Sequence, residues 1–390
     1  MIFNLISILL IIAYAILIGA ISAGWLKLKA FTEIKPSPGV KISVIVAVRN
    51  EACNIEALLK SLFRQYYPQD LYEIIIVDDD SDDETARLVK EFISRHTGTK
   101  NLKLITLNKN DGSGKKAAID KGINASTGEL IVITDADCTA GSKWISSLAS
   151  FFEKYKPHMI LGPVCMTDGA NIFGKLQSLE FMSLISSAAG SCIAGFPLMA
   201  NGANMAITRK AYDSCGGFTG NTKYHSGDDM FLMMSIKKKF GAKAILFLRS
   251  EEAIVNTPAT PGLKSFYQQR LRWVSKSRGY TDPLLIATSI IVFLMNAWLV
   301  VLAFPAFFFP DFLKLFLILY FLKLLIDFPV ILSFSRFQRS MSLLWLLPLM
   351  ELLNAVYTLI IGIAGNIGKY DWKGRKVSTI LKKSSTNMHK

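Results

Sequence analysis

Apolar and polar positions follow two rhythms along this chain, and the change between them divides it. Residues 2–25 form an apolar run without a charge, followed by Lys27, Lys29 and Lys35. Such a run is long enough to cross a bilayer. A signal peptide would carry its basic residues ahead of a shorter apolar core, so a permanent anchor is expected over 1–26. The basic flank predicts that the chain after it is cytoplasmic. From Lys41 the rhythm shortens. KISVIVAVR (41–49), YEIIIVDD (72–79), residues 102–107 and ELIVITDAD (129–137) read as strands, with 158–166 as a further one. Helical periodicity fills 54–64, 82–94 and 114–125 between them. Strands this apolar, alternating with helices, predict an α/β unit whose mostly parallel sheet is covered on both faces. Ligands of such sheets sit beyond the C-terminal ends of the strands. After residue 282 the long apolar rhythm returns in three runs of spanning length, 284–304, 312–334 and 343–364.

Composition agrees with this division. The 390 residues are 51% hydrophobic and 19% charged, too apolar for a wholly soluble chain and too charged for a plain membrane bundle. The expected parts are an anchor (1–26), a linker (27–40) containing Pro36 and Pro38, and a catalytic α/β unit (41–260). An amphipathic interfacial helix (261–282), membrane helices (283–365) and a basic tail (366–390) follow. Net charge is +14, and residues 365–390 hold seven basic residues against one acid. That places the excess beside membrane segments, where anionic lipid headgroups attract it. No nucleic-acid partner is expected, because the tail lacks the basic–aromatic interleaving of a binder. The five cysteines form no CxxC pair, which excludes a disulfide scaffold and a Cys-rich zinc site.

One count does not close. An anchor entering from outside, a cytoplasmic unit and three further spans would leave the basic tail outside, whereas its charge favours the inside. Either one apolar run is re-entrant or interfacial, or the tail is translocated. Pro348, Glu351 and Asn354 single out the last run.

The chemistry gathers at strand ends. The second strand runs into Asp78-Asp79-Asp80 and the fourth into Asp135-Ala136-Asp137. A D-x-D pair at that edge can hold a hard divalent cation bound to a diphosphate, since Mg²⁺ or Mn²⁺ keeps water and borrows phosphate oxygens. Asp82 and Asp83 are better read as caps of the next helix. Gly112-Ser113-Gly114-Lys115-Lys116 puts small residues and lysine at a helix start, which suits a phosphate. It is not a P-loop, because G-x-x-x-x-G-K-[ST] is absent. Gly227-Asp228-Asp229 can supply a general base or simply begin the following helix. Residues 261–280 are basic and aromatic without an acid and read as a surface helix, from which Gln269, Arg272 and Trp273 project.

Taken in order, residues 41–273 resemble a membrane-anchored family 2 glycosyltransferase with the GT-A fold, the branch of ceramide glucosyltransferases, polyprenyl-phosphate glycosyltransferases and polysaccharide synthases. Ala47-Val48-Arg49-Asn50-Glu51 is similar to the family's P-x-R-N-E turn at the nucleotide base, with Ala47 in place of proline. Asp79 matches the aspartate that binds uracil or its equivalent. Lys115 fits the lysine of the G-K-x-x-A-L-N helix, which here ends in Asp120. Asp135 and Asp137 match the D-x-D, with Asp137 the expected metal ligand. Asn204 lies in a stretch similar to the acceptor-side G-A-N-M-A-F strand. Asp229 matches the second acid of the E-D motif, the catalytic base, and Asp228 stands for its glutamate on the acceptor side. Gln269, Arg272 and Trp273 fit Q-x-x-R-W, which closes over the diphosphate and the sugar or acceptor.

The resemblance implies an inverting, metal-assisted transfer of sugar from a nucleotide-diphospho-sugar donor, with UDP-sugar favoured, by an integral membrane enzyme. The flanking spans point to a lipid-linked or membrane-surface acceptor. A processive polysaccharide synthase and an inactive membrane scaffold of the same fold stand as alternatives.

Overall fold

The structure, a computed structural model, describes residues 1–33, 39–96, 101–108, 111–167, 171–218, 227–367, 369–372 and 375–378. Pro36 and Pro38 lie outside the described residues, as does most of the basic tail. Helix α1 (Ile2–Lys27) precedes the α/β unit. In that unit β1 (Ile42–Val48), β2 (Tyr72–Asp78), β3 (Leu102–Thr106) and β4 (Leu130–Asp135) alternate with α2 (Ile55–Phe63), α3 (Thr85–Arg95) and α4 (Lys115–Asn124). The chain continues through β5 (Thr139–Ala140), α5 (Trp144–Tyr155), β6 (Met159–Leu161), β7 (Val164–Thr167) and the long α6 (Ile172–Ile193). Next come β8 (Met205–Thr208), α7 (Arg209–Ser214), α8 (Asp228–Phe240), β9 (Ile245–Phe247) and β10 (Val255–Pro258). Helix α9 (Leu263–Ser275) then leads to α10 (Pro283–Ala306), α11 (Pro310–Phe337), α12 (Leu347–Ile367) and a hairpin of β11 (Lys369–Trp372) and β12 (Arg375–Ser378).

The main sheet has the order β3-β2-β1-β4-β8-β6-β9, and only β8 runs antiparallel to its neighbours. Its strands are buried along nearly their whole length, as Val44, Ile45, Ile75 and Ile131 illustrate, which is why they read as continuous apolar runs. Register aligns the acids: Ala47 lies opposite Asp135, and Val48 opposite Asp78. Both acidic strand ends therefore reach the same edge.

Two expectations shift. The strand expected over 158–166 is two strands in different sheets, β6 in the main sheet and β7 beside β10. Gly162-Pro163 separates them; a Cβ at Gly162 would lie 2.3 Å from Asn204 Nδ2, and proline has no N–H for a ladder. The second helix starts at Thr85 and not at Asp82. Asp83 accepts from the N–H groups of Ala52 and Thr85, each at 3.0 Å. Asp82 departs from the expected capping role and pairs with Arg49 at 3.1 Å.

Four segments are long and apolar enough to cross a membrane: Ile2–Lys27, Pro283–Ala306, Pro310–Phe337 and Met341–Gly365. Helix α1 packs tightly against α6. A Cβ at Gly24 would lie 2.0 Å from Gly190 O, and one at Gly190 2.1 Å from Ile21 O. Small residues let the backbones approach this closely. Tyr14 donates to Asp327 at 2.8 Å, and Lys323 lies 2.9 Å from Asp327 and also pairs with Glu351. The far end of α11 returns to the α/β unit, where Gln338 Nε2 donates to Val164 O at 3.1 Å and Arg339 pairs with Glu251 at 2.6 Å. The last apolar segment leaves from there. At its other end a Cβ on Gly365 would lie 2.7 Å from Val274 of α9. Helix α9 is itself tied to α6 by the Arg270–Glu180 pair, and β11 lies against α9. Both ends of the last apolar segment thus meet the α/β unit or the helix α9 tied to it.

Candidate active site

Five charged side chains converge beyond the edge where β1 and β4 end. Lys115 opens α4, positioned by Gly114 with φ 94°, a conformation that glycine adopts without strain. Its Nζ lies 2.6 Å from Asp135 Oδ1 and 3.6 Å from Asp228 Oδ2. Asp228 and Asp229 form the acidic first turn of α8, where the helix dipole favours negative charge. Asp229 Oδ1 accepts from Met230 N at 2.7 Å and lies 3.0 Å from Lys276 Nζ. Asp228 Oδ2 is buried without a hydrogen-bond partner among the described residues, and Lys115 and Lys116 balance its charge at longer range. Gly202 keeps the space open: a Cβ there would stand 3.0 Å from Lys115 Nζ and 3.5 Å from Asp228 Oδ2.

Electrostatics separates the two acids of interest. Burial, Asp135 and Glu51 push the Asp137 carboxyl up to about 6. Burial also raises Asp229, but Lys276 and Lys115 outweigh it and hold that carboxyl below the usual range. Lys115 is held above the ordinary lysine range because Asp135 and Asp228 overcome its burial. Burial lowers neighbouring Lys116 to about 8. Asp229 is thus held ionised by its lysines, whereas Asp137 lacks sufficient positive charge.

The residues expected at the nucleotide lie along the same edge. Asp79 Oδ1 accepts from Gly114 N at 3.0 Å, which ties β2 to the start of α4. Arg49 Nη1 donates to Asp79 O at 2.5 Å and to Asp80 O. Glu51 is buried, with Asn54 Nδ2 donating to its Oε2 at 2.8 Å. Ala47 occupies the last but one position of β1. Asn204, expected on the acceptor side, is held by hydrogen bonds inside the fold. It is 1% exposed, its Oδ1 accepts from Trp144 Nε1 at 3.0 Å, and its Nδ2 donates to Pro163 O and Ala253 O.

Among the described residues, no hydrogen bond or ion pair joins Gln269, Arg272 or Trp273 to the carboxylates. Gln269 accepts from Arg270, and Trp273 lies under the Arg270 guanidinium, 4.1 Å from ring centroid to Cζ. The side chain from this region that reaches the acids is Lys276, three residues past Trp273, which is absent from the residues singled out by sequence. Arg270 is a second omission. Its pairing with Glu180 and stacking on Phe266 and Trp273 fix α9 against α6. The Q-x-x-R-W spacing assigns position 270 to an unspecified residue, so pattern matching passes over it.

The donor set suits a divalent cation shared with a diphosphate. Among the described residues no three His, Cys, Asp or Glu side chains group to hold a metal ion. Asp137 and Asp135 would therefore supply two ligands and leave the others to phosphate and water, as Mg²⁺ and Mn²⁺ accept. The raised Asp137 carboxyl fits a site short of positive charge.

Residues 43–217 match the sequence model of Glycosyl transferase family 2. A probable glycosyltransferase of Bacillus subtilis, YdaM, is 30% identical over 46% of this chain and 43% of its own length. Beta-monoglucosyldiacylglycerol synthase of Nostoc sp. is 26% identical over 60% of this chain and 48% of its own. The chain spans less than half the length of these relatives. Among solved structures, a mannosyltransferase from Pyrobaculum calidifontis with GDP-Man and Mn²⁺ matches with a TM-score of 0.52 at 18% identity, covering 90% of this chain and 99% of that one. The fold is thus GT-A-like, with apolar helices added at both ends.

Proposed function

From the glycosyl transferase family 2 domain that residues 43–217 form, we propose that the chain transfers a sugar from a nucleotide-diphospho-sugar to a lipid-linked acceptor at the membrane surface, with inversion. The observation that carries this reading is the convergence of Asp135, Asp228, Asp229, Lys115 and Lys276. Asp229 takes the proton from an acceptor hydroxyl as its oxygen attacks the anomeric carbon opposite the leaving diphosphate. Single displacement needs one catalytic carboxylate, unlike the pair of a glycosidase. Lys115, with Arg272 from α9, faces the negative charge that grows on the leaving phosphate. Asp137 and Asp135 would hold Mg²⁺ or Mn²⁺, which when bound would supply Lewis-acid stabilisation of that diphosphate. Arg49, Glu51, Asp79 and the Ala47 turn bind the nucleotide, for which a UDP-sugar is the favoured donor.

The same reading settles on an orientation. The catalytic unit is cytoplasmic, α1, α10 and α11 cross, and the last apolar segment re-enters and returns to α9. Support comes from both of its ends meeting the α/β unit or the helix α9 tied to it. The basic tail then lies inside, where its charge favours it. A C-terminal tag that proteases reach only from the cytoplasmic side is expected; digestion only from outside would overturn the orientation of the tail.

Membranes given a panel of labelled nucleotide sugars should yield a new glycolipid in the lipid fraction, lost in Asp229→Asn. A long polymer without lipid product would overturn the acceptor assignment in favour of a processive synthase. Equal inertness of wild type and variant across donors and acceptors would overturn the transferase reading.

A further inference from the structure

A cavity of about 720 Å³ opens where the ends of α1 and α11 meet the α/β unit. It is separate in sequence from the acidic cluster, being lined by Phe31, Arg249, Ser333, Arg336 and the rim residues Tyr66 and Lys143. Glu251 and Glu252 also line it, but both are already paired. Glu252 lies 3.0 Å from Lys143, and Glu251 2.6 Å from Arg339. Among the described residues, neither Arg249 nor Arg336 pairs with a carboxylate, so two guanidinium charges remain for the cavity.

Arg249 is held in place. Its Nη1 donates to Leu28 O at 2.6 Å, its Cζ stands 4.2 Å over the Trp25 ring, and its Nε is buried without a partner. Burial holds its guanidinium below the ordinary arginine range, as expected of a cation that lacks a counter-charge. Satisfying the α1 carbonyl accounts for one edge of the group only. Arg336 belongs to the last turn of α11 and is exposed. Both charges lie where membrane segments end, the level of lipid phosphates. Tyr66, 64% exposed, suits the same interface, where amphipathic rings concentrate.

We propose that this cavity binds a phosphodiester headgroup, supplied by an anionic phospholipid of the leaflet facing the catalytic unit. Arg249 and Arg336 clamp the phosphate, since guanidinium matches phosphate oxygens geometrically. Tyr66 and Phe31 flank the glycerol. The proposal rests on membrane placement of α1 and α11 and is independent of the transfer chemistry.

The test uses the full chain in detergent and in nanodiscs, with phosphatidylglycerol and phosphatidylcholine as probes and native mass spectrometry as readout. Phosphatidylglycerol should stay bound through detergent exchange and raise the melting temperature, while phosphatidylcholine should do neither. Arg336→Gln, on an exposed side chain that leaves the fold intact, should weaken phosphatidylglycerol binding about fivefold. Arg249→Gln should weaken it further. Lys314→Gln, at the opposite end of α11, should leave binding unchanged. Equal retention of both lipids, or equal loss in the Lys314 variant, would overturn the site. Protection by millimolar inorganic phosphate matching that of phosphatidylglycerol would overturn the lipid source in favour of a soluble phosphate ester.

Discussion

Two clusters in this molecule share the same components and differ in what surrounds them. Near the sheet edge, Lys115 bridges Asp135 and Asp228 while Lys276 holds Asp229. Between the membrane helices, Lys323 bridges Asp327 and Glu351 while Tyr14 donates to Asp327. The first is bordered by Gly202 and by two loop-to-helix junctions, so a ligand can replace its internal pairs. The second joins α1, α11 and the last apolar segment, and Lys323 is 1% exposed. An ion cluster with space beside it can exchange partners. One without space can only fix the helices that carry it. The second cluster thus joins the last apolar segment to the anchor and to α11, where an unpaired charge would be expensive.

The comparison is broken most sharply by removing one member from each cluster. Asp229→Asn should lower kcat by about 10²–10⁴-fold with little change in melting temperature, because a positioned general base contributes that much. Turnover of a labelled donor with thermal unfolding on the same preparation checks both halves. Lys323→Met should do the reverse. It leaves Asp327 and Glu351 buried and facing each other, a loss of about 3–5 kcal/mol in stability. Thermal unfolding in detergent measures it. Wild-type stability in Lys323→Met would mean that the sealed cluster does not pin the helices.

The sequence made the sheet legible because fully buried parallel strands leave an uninterrupted apolar signature, and Asp135 and Asp137 stand out where that signature stops. Asp229 was legible as an acid pair at a helix start. Lys276 was not, since its importance comes from the path of the chain after α9 and not from spacing. Glu180 and Arg270 lie 90 residues apart and meet only because α6 and α9 pack. The packing around Asn204 was hidden for the same reason, since Gly162 and Trp144 meet its amide only in the folded chain. The conflict between four apolar runs and a basic tail was visible in the charges. The contacts at both ends of the last run, which support the re-entrant alternative, were not visible there.

Smaller effects sharpen the same contrast between closed and open packing. Gly190→Ala adds a Cβ 2.1 Å from Ile21 O. That atom belongs to a helix backbone and cannot give way, so a loss of about 1–3 kcal/mol is expected from overpacking. Thermal unfolding checks it, and donor turnover per folded molecule should stay unchanged.

Lys276→Met tests the open cluster more finely. Burial alone raises the Asp229 carboxyl, and Lys276 is the largest influence lowering it. In the wild type Asp229 therefore remains ionised below the ordinary carboxylate range, and its own contribution to the acid limb lies at that depressed value. Without Lys276 the carboxyl rises, because burial persists while one cation is lost. The acid limb of the kcat–pH profile should then move to higher pH, with the alkaline side at neutral pH little affected. Lys276→Arg keeps the charge and should restore the limb. A variant whose profile falls uniformly at every pH would assign Lys276 to substrate binding and leave the state of Asp229 to Lys115.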